Sequence, residues 1–276
     1  MSIAIVTDST SDLPPETIEQ LSIHVIPNIL VIDGQSLEDG LDISRQEFYE
    51  RLPNLKTLPT TASASSGKFQ MLYERLFEQG IEHIISLHAP SILSGIFAAA
   101  SLAAQSFGNK VKVIDSGQVS LGLGFQVIAA AKAAAKGCTV EAILEGIQEV
   151  RQRIHLFAML DTLEYARRSG RVSWMRAQLG SLLEIKPFIE LRAGKVLNLG
   201  QVRTHHKGVN RLLQILQNLG PLESLAVLHS NAEKDALQFS QQVKNEIRSS
   251  QMIVNVTTVI GTHVGPNGLG FAAVTR

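Results

Sequence analysis

Three short apolar runs, Ser2 to Thr7, His83 to His88 and Val111 to Asp115, alternate with helical stretches in the first half of the chain. Runs of this length, bounded by turn residues, read as strands. Strands that alternate with helices predict a parallel sheet with helices on both faces. Two of the intervening stretches, Ile92 to Ser106 and Ser120 to Lys136, are alanine-rich, and the second stops at Gly137. In Thr139 to Arg153 the residues Val140, Ile143, Ile147 and Val150 recur at helical spacing.

The remaining local signals fill in the first half. Pro14 opens a short helix to about Leu21, and Val25 to Ile32 is a strand candidate interrupted at Pro27. Ser44 with Glu47 three residues later forms a capping box. Lys56 to Ser66 has the composition of a loop, and a helix follows from Gly67 to Gln79.

Near Ile154 the pattern changes. Phe157 to Leu160 reads as a strand, Thr162 to Arg168 as a short helix stopped at Gly170, and Ser173 as the cap of a helix to about Leu183. Lys186 to Leu191 and Val196 to Arg203 flank Arg192-Ala193-Gly194-Lys195 and predict a β-hairpin. Helix 205–218, strand 224–229, helix 232–248 and strand 252–260 complete a second unit. Gly261 to Gly270 reads as a loop and Phe271 to Thr275 as a last strand. The expected fold is therefore α/β in two α/β domains: 1–153 with a mainly parallel sheet covered by helices, and 154–276 with a mixed sheet and helices. No linker rich in Pro, Gly or Ser separates them, so close packing is expected.

Composition narrows the function classes. The 276 residues, 45% of them hydrophobic, are ample for one large core or two smaller ones. The 25 basic and 25 acidic residues cancel. Nucleic acid or an anionic membrane surface calls for a clear basic excess, so neither is expected as a partner. Cys138 is the one cysteine, which rules out an intramolecular disulfide and a cysteine-built metal site. Met1 to Thr10 lacks the basic start and long apolar run of a secretion signal, and no uncharged apolar stretch approaches a membrane span. A cytoplasmic protein without stable membrane insertion is expected.

Ligand sites in parallel sheets sit at the C-terminal ends of strands. Four hydroxyl-rich segments fall at or near such ends: Asp8 to Asp12, Thr60 to Ser66, Ser91 to Gly95 and Asp115-Ser116-Gly117. Clustered neutral hydroxyls suit a carboxylate or phosphate. Ser91 to Gly95 opens the first alanine-rich helix, where exposed amides attract an anion, although Ser91 or Ser94 also reads as a simple N-cap. Leu121-Gly122-Leu123-Gly124 fails the dinucleotide pattern, since Val127 holds the third glycine position, and no P-loop occurs. Cations come later, as Arg167, Arg168 and Arg171 around Gly170, then Arg176, Lys186 and Arg203. Gly261 to Gly270 contains one titratable side chain, His263. The other histidines show no metal-ligand spacing, and no metal site is expected.

In order, these segments resemble the DegV family over nearly the whole chain. The resemblance rests on Asp8-Ser9-Thr10-Ser11-Asp12-Leu13, Thr61-Ala62-Ser63-Ala64-Ser65, Leu93-Ser94-Gly95 and Val113-Ile114-Asp115-Ser116 with Ser120, Gly122 and Gly124. It continues through Leu160-Asp161-Thr162-Leu163-Glu164-Tyr165, Arg168-Ser169-Gly170-Arg171, Ile185-Lys186-Pro187 and Val202-Arg203-Thr204. It ends on His263-Val264-Gly265-Pro266. Ala62, Ala64 and Ile96 depart from the family pattern.

The resemblance implies a long-chain fatty acid held in a buried pocket between the domains, with its carboxylate on Thr61, Ser94 and His263. It implies a binding subunit rather than an enzyme, with no cofactor besides the bound lipid. A separate ATP-dependent fatty-acid kinase would phosphorylate the acid to an acyl phosphate, with Arg171 and Arg203 as candidates for phosphate or partner. Phe125, Phe157, Met159, Leu179, Leu182, Leu183, Phe188 and Ile189 are candidate wall residues. The rival expectation is a serine hydrolase or acyltransferase using Ser94, His263 and Asp8 or Asp115. The missing G-x-S-x-G elbow weighs against it.

Overall fold

A computed structural model of the protein describes residues 2–172, 185–244 and 251–276. The expected helix from Ser173, together with Arg176, Leu179, Leu182 and Leu183, lies outside the described residues.

The chain begins with β1 (Ile3–Asp8), α1 (Pro15–Gln20), β2 (His24–Ile26), β3 (Ile29–Ile32), β4 (Gln35–Glu38), α2 (Arg45–Arg51) and β5 (Thr60–Ala62). There follow α3 (Ser66–Glu78), β6 (His83–His88), α4 (Ile96–Ala104), β7 (Val111–Asp115), α5 (Ser120–Ala135) and α6 (Val140–Gln152). The rest is β8 (Ile154–Met159), α7 (Glu164–Ser169), β9 (Lys186–Arg192), β10 (Lys195–Val202), α8 (His205–Asn218), β11 (Leu222–Ser230), α9 (Glu233–Gln242), β12 (Met252–Asn255), α10 (Thr258–Val264) and β13 (Gly268–Thr275).

Three sheets result. The first is wholly parallel in the order β2-β1-β6-β7. The second is a small antiparallel sheet, β4-β3-β5. The third, β10-β9-β8-β13-β11-β12, is antiparallel except for the parallel β11–β12 pair. The α/β class, the parallel first sheet and the mixed last sheet agree with the sequence reading. So do the β9–β10 hairpin and the Ser44 cap, whose hydroxyl accepts from Glu47 N at 3.1 Å.

Alternate side chains of β1 face opposite cores. Ala4 and Val6 join Phe69, Leu72 and Tyr73 of α3. Ile5 joins α5 and α6 on the other face. That second core continues into Leu156, Leu191, Leu228 and Ala272 of the last sheet, so α5 lies between the two sheets. A third core, with Leu212, Phe239 and Phe271, covers the other face of the last sheet under α8 and α9.

Several expected boundaries move, each for a tertiary reason. Val25 to Ile32 divides at Pro27 and Asn28 into strands of different sheets. Thr60–Ala62 is a strand rather than loop, because its backbone pairs with β3. The strand expected from Phe157 begins at Ile154, where pairing with β13 begins. The strand expected to run to Ile260 stops at Asn255, and the expected loop around His263 is the helix α10. Gly268 and Gly270 are strand residues. Their lack of a side chain reflects contact, since a Cβ at Gly270 would collide with the Phe157 carbonyl and one at Gly268 would stand 2.8 Å from Ser230 Oγ.

Phe271 is fully buried and packs its ring 5.5 Å from Phe157 and 6.3 Å from Phe239. Truncation there leaves a cavity beneath a central strand. Phe271→Ala is expected to lower unfolding free energy by about 3–5 kcal/mol, measured by urea denaturation with an unchanged slope.

Candidate functional site

Thr61, Ser94 and His263 come from three separate parts of the chain, and all line one cavity of about 490 Å³. Thr61 is held in the middle of β5 by pairing with Leu30. Ser94 sits in a turn where the Leu93 and Ser94 amides both donate to the Pro90 carbonyl, at 2.9 and 3.0 Å. Asp115 secures that turn by accepting from Ser91 N at 3.0 Å and Ser91 Oγ at 2.7 Å. Burial works to raise the Asp115 carboxyl, but the Ser91 and Gly117 hydrogen bonds prevail and hold it below the usual range. Ser94 Oγ accepts from Ile96 N at 3.2 Å, which leaves its proton free to donate.

His263 stands near the C-terminal end of α10. Its Nε2 meets Thr61 Oγ1 at 2.9 Å, whereas Nδ1 is buried without a hydrogen-bond partner among the described residues. Buried polar atoms are nearly always satisfied, so an orphan ring nitrogen in a cavity wall marks a place for a polar ligand group. Burial, with Arg171 nearby, pushes the His263 pKa down to about 4. The imidazole is therefore uncharged at neutral pH.

The cavity has a polar end and an apolar body. Ser63 and Ser91 join the three residues above at the polar end, and a Cβ on Gly95 would lie 3.3 Å from Ser63 Oγ. Ile189, Leu191, Val196 and Leu228 line the body, and Met159 borders it with its side chain in the core under α8. Ala62, Ser91, Gly95 and Arg171 are exposed, so the polar end reaches the surface.

Some of the candidate wall residues pack elsewhere. Of the expected wall residues, Ile189 lines the cavity and Met159 borders it. Phe125 packs into the core between the sheets, while Phe157 and Phe188 belong to the core on the other side of the last sheet. Strand alternation sends Phe157 and Phe188 to the face opposite Leu156 and Leu191. Arg203 is exposed beyond the end of β10 and is not part of the lining, unlike Arg171. Thr10, within the hydroxyl-rich Asp8 to Asp12 segment, and Ser120 at the glycine-rich helix start also line the cavity, as does Asn28, to which no signal in the sequence pointed.

The arrangement for a serine nucleophile is not assembled. The Nε2 of His263 engages Thr61, and no described hydrogen bond joins Ser94 to His263. The carboxylates are committed elsewhere, Asp8 to His88 Nδ1 at 2.9 Å and Asp115 to Ser91. Among the described residues no group of three or more His, Cys, Asp or Glu could hold a metal, and no helix is long and apolar enough to cross a membrane.

The family model described as uncharacterised protein, DegV family, matches residues 2–276. A DegV domain-containing protein of Deinococcus radiodurans is 34% identical over 276 residues, covering 99% of this chain and 98% of the relative. The solved structure of a DegV family protein from Thermus thermophilus, described by its fatty acid binding, is 30% identical with a TM-score of 0.92 and covers 100% of both chains. The structure of DegV from Bacillus subtilis, described as a fatty acid binding protein, is 29% identical with a TM-score of 0.89 and also covers 100% of both chains.

The displaced pKa of His263 is directly measurable. Its imidazole resonances are expected to titrate near pH 4, and a midpoint at the ordinary 6.5 would contradict the burial. In the unfolded chain the ring takes up its proton near 6.5, so this residue's contribution to stability is full above that pH. It is lost as pH falls towards 4, by about 3 kcal/mol. His263→Gln should remove that acid-side loss.

Proposed function

The chain belongs to the DegV family, and from that premise we propose that it binds one long-chain fatty acid and presents the carboxylate to a separate ATP-dependent kinase. The carrying observation is a 490 Å³ cavity whose polar end combines a Thr61–His263 hydrogen bond, an orphan His263 Nδ1 and the free hydroxyl proton of Ser94. Ligand pockets run from roughly 300 to 1,000 Å³, and an apolar body with a few convergent polar groups is their common form. On this reading Thr61, Ser94 and His263 hold the headgroup at the junction of domains 1–153 and 154–276.

The energetics divide between tail and head. A tail of about fifteen carbons offers on the order of 12 kcal/mol of gross burial, much of which association and ordering offset. The headgroup contacts set orientation. With Ala62, Ser91 and Gly95 exposed beside the clamp, one carboxylate oxygen stays within reach of a partner. The kinase would supply ATP, and attack of that oxygen on the γ-phosphorus would break the bond to the β-phosphate, giving the acyl phosphate and releasing ADP. Arg171, exposed at the cavity mouth, would meet the phosphate, which needs more positive charge than a carboxylate. Arg203 would serve the partner's face.

Organic extraction of freshly purified protein is expected to release a fatty acid near one equivalent. Thr61→Val, Ser94→Ala and His263→Ala should each weaken binding by about ten- to a hundredfold, as loss of one hydrogen bond to a charged group implies. Wild-type affinity in all three would place the headgroup elsewhere. Arg171→Ala should retain lipid yet lose phosphorylation when kinase and ATP are added. Equal loss of lipid binding would refute that division of roles.

A further inference from the structure

Four consecutive residues, 255–258, lead into α10, the helix that carries His263. Each is gripped by a side chain from the first 49 residues of the chain. Arg45 donates from Nη1 to the Asn255 carbonyl. Tyr49 donates from Oη to the Val256 carbonyl at 3.3 Å. Asp12 Oδ1 accepts from Thr257 N at 2.7 Å. Asp39 Oδ1 accepts from Thr258 N at 3.3 Å and from Thr258 Oγ1 at 2.7 Å.

The helix does not cap itself. Its N-cap residue, Thr257, makes no side-chain cap bond, and its hydroxyl is buried without a partner among the described residues. The leading amides of a helix need acceptors, and here two carboxylates supply them from the other half of the chain. Both are buried, at 0% exposure for Asp12 and 4% for Asp39. Burial raises both carboxyls, Asp12 to about 6, although Ser9 and Thr258 work to lower Asp39 and Arg45 works to lower both. Two carboxylates out of water are a costly way to cap seven residues when a local serine would suffice.

What this arrangement does, and a local cap cannot, is fix α10 against a particular sheet. Asp39 directly follows β4, and Thr61 lies on β5, so the two border the same three-stranded sheet through β3. Asp39 holds the N-terminal end of the helix there, and Thr61 meets His263 near its C-terminal end at 2.9 Å. Between the two, Gly261 presses on α2 so closely that a Cβ would stand 2.9 Å from the Phe48 ring. A slide of one residue along the axis, about 1.5 Å, would break the Thr61–His263 contact.

We infer that Asp39, assisted by Asp12, is a positioning residue for the headgroup clamp, setting the register of α10 so that His263 meets Thr61. The inference rests on the reading of Thr61 and His263 as carboxylate ligands. Asp39 acts through the helix and does not touch the lipid.

The test uses the full chain and cis-parinaric acid as a fluorescent probe. Asp39→Ala should weaken binding by roughly three- to tenfold, a part of what losing a headgroup bond causes, while Asp39→Asn, which keeps an acceptor, should stay within about twofold. In a His263→Ala background Asp39→Ala should change affinity by less than about twofold, since the position of a missing imidazole is immaterial. Losses that simply add would overturn the inference. Thr258→Val removes only the hydroxyl contact and serves if Asp39→Ala does not fold, with a loss of about twofold or more expected and an unchanged affinity counting against. The imidazole resonances of His263 in ligand-free protein give an independent reading. They should shift in Asp39→Ala or Thr258→Val and return in Asp39→Asn. Unshifted resonances would overturn the inference whatever the lipid result. Failure of the wild type to bind the probe would defeat the lipid reading alone, with the resonances still deciding the role of Asp39.

Discussion

Two sheets can share one core only if the element between them offers apolar surface on both sides. Helix α5 meets that condition. Ser120 to Val127 are all buried, and the helix shares one continuous core with Ile5 of the first sheet and with Leu156, Leu228 and Ala272 of the last. A helix apolar all round belongs inside, and small residues let both sheets approach it. At Gly124 a Cβ would stand 2.8 Å from the Ser11 carbonyl, so a larger residue would push the helix off the end of β1. The cavity opens where this shared core ends, with Val119 and Ser120 at the helix start among its lining.

The polar end of the cavity rests on a buried chain of hydrogen bonds. Tyr73 donates to Ser86 at 2.8 Å, Ser86 meets His88 Nε2 at 2.7 Å, and His88 Nδ1 meets Asp8 Oδ2 at 2.9 Å. Asp8 also accepts from Thr10 N at 3.0 Å, from Asn28 Nδ2 at 3.0 Å and from Ala89 N at 3.2 Å. Burial alone would raise the Asp8 carboxyl, yet these partners, His88 first, hold it below its usual range. A buried network is stabilising only when its members are satisfied. Here it ties the C-terminal ends of β1 and β6 together and fixes Thr10, Asn28 and Ala89 in the cavity wall.

Against that satisfied background the unsatisfied nitrogen of His263 is informative. The ring is held at Nε2 by Thr61, while its Nδ1 has no partner among the described residues. The uncharged ring donates or accepts a hydrogen bond without adding a buried cation, and Arg171 supplies positive charge from the exposed rim.

Much of the fold was legible because its signals are local. The apolar runs at β1, β6 and β7, the helical spacing of Val140, Ile143 and Ile147, the Ser44 cap and the Ala193-Gly194 turn each depend on neighbours a few residues away. Thr61, Ser94 and His263, which line one cavity, are picked out by the order of motifs rather than by spacing. What the sequence alone could not decide is which distant segments meet. Thr60–Ala62 is a strand because β3 is beside it, and Thr258–Val264 is a helix because Asp12 and Asp39 supply its caps. Phe157 and Phe188 look like pocket walls by composition, and strand alternation within the assembled sheet turns them to the other core. Local propensity is a matter of a few tenths to about 1 kcal/mol per residue, so where a short segment has no strong preference of its own, the long-range hydrogen bonds and contacts of the folded chain choose for it.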